Sequence, residues 1–121
     1  MKTVLIVDDN PNIRGALRAF LRSSTDVKVC GEAADGREAI DTAVAKHPDL
    51  ILMDLLMPQM NGVEAAAVLR TLLPKVRIVI FTLYDDFVGK SLAAATGIDL
   101  VVSKAGGAAM LTEALRPLLA D

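Results

Sequence analysis

Five short runs of large aliphatic residues alternate with longer segments whose apolar residues recur at helical spacing. The runs are TVLIV (3–7), VKVCGEA (27–33), LILM (50–53), VRIVIF (76–81) and IDLVVS (98–103). They are rich in β-branched residues and each is followed by a helix-like segment, which predicts strands that alternate with helices. Such alternation is typical of a parallel sheet that is covered by helices on both faces.

The segments between the runs predict the helices. Apolar residues at helical spacing are Ile13, Leu17, Phe20 and Leu21, then Ala39, Ile40, Ala43 and Val44, then Ala65, Leu69, Leu72 and Leu73, and finally Leu111, Ala114, Leu115 and Leu118. Another helix is expected at about residues 86–96 from the alternation, although that segment contains Gly89 and has little apolar stripe. Five strands of this kind suit the doubly wound order 2-1-3-4-5, in which a ligand crevice opens between the carboxyl ends of strands 1 and 3.

Composition narrows the class of protein. The 121 residues fit one ordinary domain, and 53% hydrophobic residues with only 3% aromatics predict an aliphatic core. The 13 basic and 15 acidic residues are interspersed and give a net charge of −2, which argues against a nucleic-acid or membrane surface on this domain. No apolar stretch approaches the ~20 residues of a membrane span, so we expect a cytoplasmic protein with no membrane partner.

Two adjacent acidic residues, Asp8 and Asp9, follow the first apolar run. Two carboxylates ~4 Å apart at an effective dielectric constant of ~20 repel each other by about 4 kcal/mol, so the pair needs compensation. The same stretch also reads as a helix start, with Asn10 as N-cap and Pro11 at the first helical position. Charge chemistry and helix capping both remain open from these residues alone.

Polar residues also follow three other predicted strands. Asp54 stands alone among large apolar residues after the third run, Thr82 closes the fourth run and Lys104 follows the fifth. If strands 1 and 3 are neighbours, Asp54 faces Asp8 and Asp9 across the crevice, and three converging carboxylates favour a hard cation such as Mg²⁺. An acid pair, a lone acid, a hydroxyl and a lysine are the groups needed to hold a phosphoryl group.

The motifs VDD (7–9), MDLLMPQMNG (53–62), FT (81–82) and SK (103–104), in this order, resemble the receiver domain of bacterial two-component response regulators. The resemblance covers essentially the whole chain. It implies one receiver domain at 1–121 with a flavodoxin-like fold.

The resemblance also implies a role for each site residue. Asp54 is the expected phosphoacceptor, Thr82 the hydroxyl that binds the phosphoryl group, and Lys104 its cationic partner. The implied Mg²⁺ ligands are Asp8, Asp9, Asp54 and the backbone carbonyl of Leu56. We also expect Lys104 to be held by the carboxylates before phosphorylation, and Leu56 and Tyr84 to flank the path of water to the acyl phosphate.

The implied partners are those of a signalling domain. A sensor histidine kinase supplies the phosphoryl group, the domain catalyses only its own modification, and phosphorylation is expected to favour a homodimer. The stretch SKAGGAAMLTEAL (103–115) is similar to receivers of LuxR/FixJ-type regulators. DNA contact is therefore expected only through a helix-turn-helix output domain, which does not follow Asp121, and we favour the N-terminal half of such a regulator over a stand-alone receiver.

Two positions depart from the family pattern. Val101 stands where an aromatic switch residue is common, three positions before the lysine, and Ala105 stands where a proline often follows it. A cis peptide before a residue other than proline costs about 3 kcal/mol, so we expect cis at Lys104–Ala105 only if packing enforces it.

Three other functions compete. A degenerate receiver would act as an interaction module without phosphorylation. A Mg²⁺-dependent phosphohydrolase would use a similar aspartyl phosphate, but 121 residues leave no room for a substrate-binding cap. A flavin-binding module needs a neutral phosphate loop, whereas DDNPN (8–12) is acidic.

Overall fold

A computed structural model of the chain describes residues 1–23, 26–82 and 97–119. The strands are β1 (Lys2–Val7), β2 (Val27–Ala33), β3 (Leu50–Met53), β4 (Arg77–Thr82) and β5 (Leu100–Ser103). The helices are α1 (Pro11–Arg22), α2 (Gly36–Lys46), α3 (Gly62–Leu72) and α4 (Gly107–Leu119), and a 3₁₀ turn at Lys104–Gly106 precedes α4. The helix expected at 86–96 and Tyr84 lie outside the described residues. Within those ranges, no helix is both long and apolar enough to cross a membrane.

The five strands form one parallel sheet in the order β2-β1-β3-β4-β5, which confirms the predicted topology. Val7, the last residue of β1, pairs with Ala33 of β2 and with Met53 of β3, so these three strands end level with one another. The next residues keep that alignment, because the Asp8 amide donates to the Ala33 carbonyl at 3.1 Å and the Asp54 amide to the Val7 carbonyl at 2.9 Å. The register therefore places Asp8 and Asp54 side by side.

Helices cover both faces of the sheet, as the alternation predicts. On one face, strand residues such as Leu5 and Ile51 pack against small residues of α2 and α3, namely Ala39, Ala43, Ala65 and Ala66. On the other face, residues such as Ile6 and Leu52 pack against the leucines Leu17 and Leu21 of α1 and Leu111 and Leu115 of α4. Because successive residues of a strand point to opposite faces, the buried four-residue strand β3 serves both layers.

Helix α1 begins with the cap that the sequence suggests. The Asn10 side chain accepts hydrogen bonds from the amides of Asn12 at 2.9 Å and Ile13 at 3.4 Å, and Pro11 is the first helical residue. Capping is thus done by Asn10, which leaves the carboxylates of Asp8 and Asp9 for another purpose. The two interpretations of this stretch apply to different residues.

Gly62 lets the loop between β3 and α3 return to the end of β3. Its amide donates to the Leu55 carbonyl at 2.8 Å, and a Cβ atom added at Gly62 would lie 2.4 Å from the Asp54 carbonyl oxygen. That oxygen belongs to the backbone of the strand end and cannot swing aside as a flexible side chain could. A glycine at this position therefore keeps Asp54 in place.

We expect Gly62→Ala to destabilise the protein by about 1–3 kcal/mol, because the new methyl group must displace the backbone at Asp54. Gly15→Ala is the matched control, because its new Cβ would come no closer than 3.9 Å to a side chain, that of Arg18, and alanine stabilises a helix interior relative to glycine, so a gain of about 0.5–1 kcal/mol is expected. Chemical denaturation of both variants measures the two changes. Equal stability of Gly62→Ala and wild type would contradict the steric explanation.

Candidate functional site

Three carboxylates converge at the carboxyl ends of β1 and β3. One oxygen from each of Asp8, Asp9 and Asp54 lies within 4.8 Å of the others. Asp8 is only 2% exposed, Asp54 is half-buried and Asp9 is exposed. The cluster thus runs from the end of the sheet outward to solvent.

Lys104 lies between two of these carboxylates. Its Nζ atom is 2.9 Å from Asp8 Oδ2 and 3.4 Å from Asp54 Oδ1, and its side chain is 13% exposed. The same ammonium group lies 5.8 Å from the centre of the Phe81 ring, at the far end of the range for a cation–π contact. The expectation that the carboxylates hold Lys104 in the unphosphorylated protein is confirmed.

Backbone amides supply further compensation for the negative charge. The Asn10 amide donates to Asp8 Oδ1 at 2.9 Å, and the Leu55 amide donates to Asp54 Oδ1 at 2.9 Å. Hydrogen bonds from amides to carboxylates are stronger than those between neutral groups and favour the ionised form. Asp54 Oδ2, by contrast, receives no hydrogen bond from the residues that the structure describes.

The pKa of Asp54 is raised above its ordinary value, chiefly because burial penalises the charged carboxylate. The nearby charge of Lys104 acts in the opposite direction, and repulsion from Asp8 adds to the rise. One ammonium group therefore does not fully offset the burial and crowding of the carboxylates around Asp54.

The other predicted site residues lie at the same edge of the sheet or beside it. Thr82 is 2% exposed and ends β4, paired with Ser103, the residue before Lys104. Leu56 lies in the loop after β3 with 54% of its surface exposed. Val101 lies within β5, half-buried against the core.

The Lys104–Ala105 peptide is trans, since the structure has no cis peptide bond among its described residues. This agrees with the energetic expectation for alanine at that position.

Sequence reasoning missed a second group of charges behind the carboxylates. Arg14 of α1 donates to the backbone carbonyl of Asp8 at 2.6 Å and pairs with Glu32 of β2 at 3.3 Å, and Arg18 also pairs with Glu32. The available signal was the spacing of the two arginines, four residues apart on one helix, with a lone acid near the end of the neighbouring strand. β2, to which the sequence assigned no polar group, thus contributes through Glu32.

The donor set of the cluster is suited to a small hard cation. All the candidate ligand atoms are oxygens, which Mg²⁺ and Ca²⁺ prefer over nitrogen or sulfur. Two ligands of one Mg²⁺ lie at most about 4.2 Å apart, twice the ~2.1 Å metal–oxygen distance, and the three carboxylate oxygens lie within 4.8 Å of one another, which is close to that limit. Small side-chain movements or a bridging water would complete such a site.

In metal-free buffer, we expect Asp54→Asn to raise the free energy of unfolding at neutral pH. A carboxyl group whose pKa is higher in the folded state stabilises the fold fully only below its unfolded pKa, and this stability is lost as the pH rises through the folded pKa. Asp54→Asn has no carboxyl group to ionise at this position, so it does not lose that stability as the pH rises. Its advantage should therefore shrink as the pH is lowered to about 4 and below, where the unfolded carboxyl group becomes protonated.

Urea denaturation of wild type and Asp54→Asn at several pH values, with a chelator present, measures this difference. A variant that is less stable than wild type at neutral pH would show that the ion pair with Lys104 outweighs the burial of Asp54.

This chain is similar in sequence to bacterial response regulators. Response regulator protein VraR of Staphylococcus saprophyticus is 39% identical over 115 residues, which cover 93% of this chain and 54% of that protein. VraR of Staphylococcus aureus has the same identity and coverage. The chain thus spans about half the length of these curated relatives.

Solved structures show the same fold over the whole chain. A LuxR-family two-component response regulator from Aurantimonas sp. SI85-9A1 matches with a TM-score of 0.93 and 30% identity, covering 98% of this chain and 85% of that one. The response regulator domain of CheB from Thermotoga maritima matches with a TM-score of 0.90 and 29% identity, covering 100% and 98%. The family model for the response regulator receiver domain matches residues 4–116. This chain therefore belongs to the response regulator receiver domain family, whose flavodoxin-like architecture it shares.

Proposed function

We propose that Asp54 accepts a phosphoryl group from a phosphohistidine of a sensor histidine kinase in a Mg²⁺-dependent reaction, and that the phosphorylated domain switches an output. The chain belongs to a family of signalling domains rather than conventional enzymes. The observation that carries the proposal is the convergence of Asp8, Asp9 and Lys104 on Asp54. We further propose that 1–121 form a single receiver domain.

The two oxygens of Asp54 differ in a way that suits a nucleophile. Oδ1 is held by Lys104 and the Leu55 amide, whereas Oδ2 accepts no hydrogen bond within the described part of the chain. A fixed carboxylate with one open oxygen is oriented for attack without a large loss of rotational freedom. The raised pKa of Asp54 also makes its carboxylate more basic than a solvent-exposed one.

In the proposed transfer, Asp54 Oδ2 attacks the phosphorus atom of the phosphohistidine. A P–O bond to the carboxylate forms while the P–N bond breaks, and the electron pair of that bond leaves with the imidazole nitrogen, which takes up a proton. The product is an acyl phosphate on Asp54 and a free histidine on the kinase. Lys104, already beside Asp54, is placed to neutralise the incoming phosphoryl oxygens.

The metal would be held by Asp8, Asp9, Asp54 and the backbone carbonyl of Leu56. When bound, Mg²⁺ supplies positive charge that stabilises the phosphoryl oxygens during transfer. Charge balance supports this assignment, because three carboxylates and one ammonium group leave the pocket two negative charges in excess. Oxygen-only ligands in a partly exposed position fit a cation that keeps part of its water shell.

The proposed switch begins with a change of partners at Lys104. A phosphoryl group brings about −1.5 to −2 charges and three acceptor oxygens, so Lys104 and the Thr82 hydroxyl have new partners to reach. Thr82 and Ser103 are paired neighbours on β4 and β5, and a movement at Thr82 would pass to the strand that carries Lys104. Val101 occupies the position of the usual aromatic switch residue, so the coupling would rely on aliphatic packing.

The partners follow from the same proposal. Phosphorylation would favour a homodimer, and DNA would be contacted by an output domain outside these 121 residues rather than by this domain, in line with the similarity to a LuxR-family regulator. The reaction would take place in the cytoplasm, where the kinase acquires its phosphoryl group from ATP. We favour transcription as the regulated output.

The second candidate is a degenerate receiver that works as an interaction module without phosphorylation. Val101 and Ala105 favour it, since both depart from the family pattern. A phosphohydrolase is not favoured, because the chain matches the response regulator receiver family over residues 4–116.

Incubation with Mg²⁺ and acetyl phosphate should add the mass of one phosphoryl group to the wild-type protein, as measured by intact mass spectrometry and site mapping. Asp54→Asn should abolish the adduct, because the nucleophilic oxygen is replaced by an amide. Asp41→Asn is the matched control, as Asp41 lies on the exposed surface of α2 with its side chain 72% exposed, and it should be phosphorylated like wild type.

A chelator should also prevent the reaction. An adduct that persists in Asp54→Asn, or no adduct in the wild type, would reject Asp54 as the phosphoacceptor, and the second result would favour the degenerate receiver.

Leu56→Asn should shorten the lifetime of the phosphorylated protein by several-fold. Leu56 is a bulky apolar residue beside the site, and an amide in its place could orient an attacking water molecule. Loss of the phosphoryl group from purified phosphoprotein measures the lifetime. Leu72→Asn is the control, because Leu72 is a similarly exposed leucine on α3 and should leave the lifetime unchanged. An unchanged or longer lifetime in Leu56→Asn would discard the idea that this leucine slows hydrolysis.

A further inference from the structure

We propose that Arg14 is a positioning residue for the metal site: it fixes the peptide that joins Asp8 to Asp9 and thereby sets the place of the Asp9 carboxylate. This inference rests on the proposed function, since it concerns the Mg²⁺ affinity of the same pocket. Arg14 would act through the backbone and would touch neither the metal nor the phosphoryl group.

Arg14 connects three elements of the fold. It lies in the first turns of α1, its Nη1 atom donates to the Asp8 carbonyl oxygen at 2.6 Å, and its Nε atom donates to Glu32 Oε1 at 3.3 Å. The side chains of Arg14 and Glu32 are 20% and 25% exposed, so both are largely shielded from water. A planar guanidinium group held at two of its nitrogens has little freedom to rotate.

Asp8 itself is held at every polar atom. Its amide donates to Ala33, its Oδ1 accepts from the Asn10 amide, its Oδ2 accepts from Lys104 and its carbonyl accepts from Arg14. Arg14 is therefore the partner that fixes the last of these atoms, the carbonyl oxygen. That oxygen belongs to the Asp8–Asp9 peptide plane, and a peptide plane directs the chain into the next residue.

Asp9 is the least restrained of the three candidate ligands. It is exposed, and among the described residues its carboxylate takes part in no hydrogen bond or ion pair. The direction of its side chain consequently depends on the backbone that precedes it. Residues that orient metal ligands without touching the metal typically contribute 10–100-fold to affinity, so an effect at the lower end is expected here.

The contact with Glu32 explains why Arg14 does not enter the pocket. A mobile guanidinium group near three carboxylates would compete with a divalent cation for the same oxygens. The Glu32 carboxylate binds both Arg14 and Arg18, which draws the guanidinium of Arg14 toward β2 and leaves it on the backbone side of Asp8. Glu32 thus serves as the anchor of the positioning residue.

The sign of the effect separates positioning from simple electrostatics. If Arg14 acted only as a nearby positive charge, its removal would strengthen binding of a cation to the pocket. If Arg14 fixes the Asp8–Asp9 peptide, its removal weakens that binding although the pocket becomes more negative. The two roles therefore predict opposite changes in Mg²⁺ affinity.

Calorimetric titration of the metal-free protein with Mg²⁺ tests this. Arg14→Gln should raise the dissociation constant for Mg²⁺ by about tenfold. Arg14→Lys keeps the charge but cannot reach the Asp8 carbonyl and Glu32 together. Its dissociation constant for Mg²⁺ should therefore lie between those of wild type and Arg14→Gln. Arg18→Gln is the matched control, because Arg18 binds the same Glu32 but does not contact Asp8. This variant should bind Mg²⁺ as tightly as wild type or slightly more tightly.

Two further measurements distinguish positioning from a general loss of structure. In metal-free Arg14→Gln, the NMR amide signals of Asp9 and Asn10 should shift or broaden while those of the core strands stay in place. For phosphorylation by acetyl phosphate, the half-saturating Mg²⁺ concentration should rise while the rate at saturating Mg²⁺ changes little. If Arg14→Gln does not fold, Arg14→Lys still tests the inference, because it keeps the positive charge and should nevertheless bind Mg²⁺ more weakly than wild type.

The possible outcomes separate this inference from the proposed function. Mg²⁺ binding by wild type together with equal or tighter binding by Arg14→Gln would overturn the role of Arg14 and leave the proposed function standing. Absence of Mg²⁺ binding by wild type would overturn both. Weaker binding by Arg14→Gln and Arg18→Gln alike would also reject the inference, because the loss of either partner of Glu32 would then weaken binding whether or not that arginine contacts the Asp8 carbonyl.

Discussion

The structure depends on one electrostatic constraint, the placement of three carboxylates at the edge of a buried parallel sheet with one ammonium group between two of them. Lys104 bridges Asp8 and Asp54, which end neighbouring strands, and so joins the end of β5 to the ends of β1 and β3. At separations of a few ångströms, such charges interact by several kcal/mol wherever water is partly excluded. The aliphatic core below them supplies rigidity: both faces of β3 are packed, and this packing holds the strand end that carries Asp54 in place.

The same constraint gives the site its proposed chemistry. The fold compensates the excess of negative charge only in part, which favours the binding of a divalent cation. The same negative charge holds Lys104 beside the carboxylate that is proposed to receive the phosphoryl group. The ammonium group can change partners because its present bonds are to side chains, which a phosphoryl oxygen can replace. A pocket that is stable before modification and differently paired after it meets the basic requirement for a switch.

Much of the fold, and the grouping of Asp8, Asp54 and Lys104 at one edge of the sheet, could be predicted from the sequence for identifiable physical reasons. The parallel sheet followed from the regular alternation and the strand order from the common doubly wound arrangement of such sheets, and Asp54 stood out because a lone acid in a run such as LILMDLLM is seldom structural. Strand bounds were less certain: β5 begins at Leu100 rather than at residue 98, because an apolar residue at a strand end fits a loop that packs on the core equally well.

The contacts of Arg14 and Glu32 could not be predicted from the sequence. They join α1 to β2, and their meaning depends on which backbone atom the guanidinium group reaches. A pattern of charges along the chain can indicate that an arginine and a glutamate share an edge of the fold. It cannot indicate that the arginine binds the carbonyl oxygen of the acidic pair rather than its carboxylates.

Two cations therefore approach the acidic cluster in different ways. Lys104 binds carboxylate oxygens, the same atoms that a metal ion or a phosphoryl group would engage, so its position is open to competition. Arg14 binds a backbone oxygen and is held from behind by Glu32, so it can stay in place whatever occupies the pocket. The division suits a site of this kind: if both cations bound the carboxylates, the excess negative charge of the pocket would fall from two to one and its attraction for a divalent cation would be weaker, and if neither did, the strand ends would repel each other more strongly.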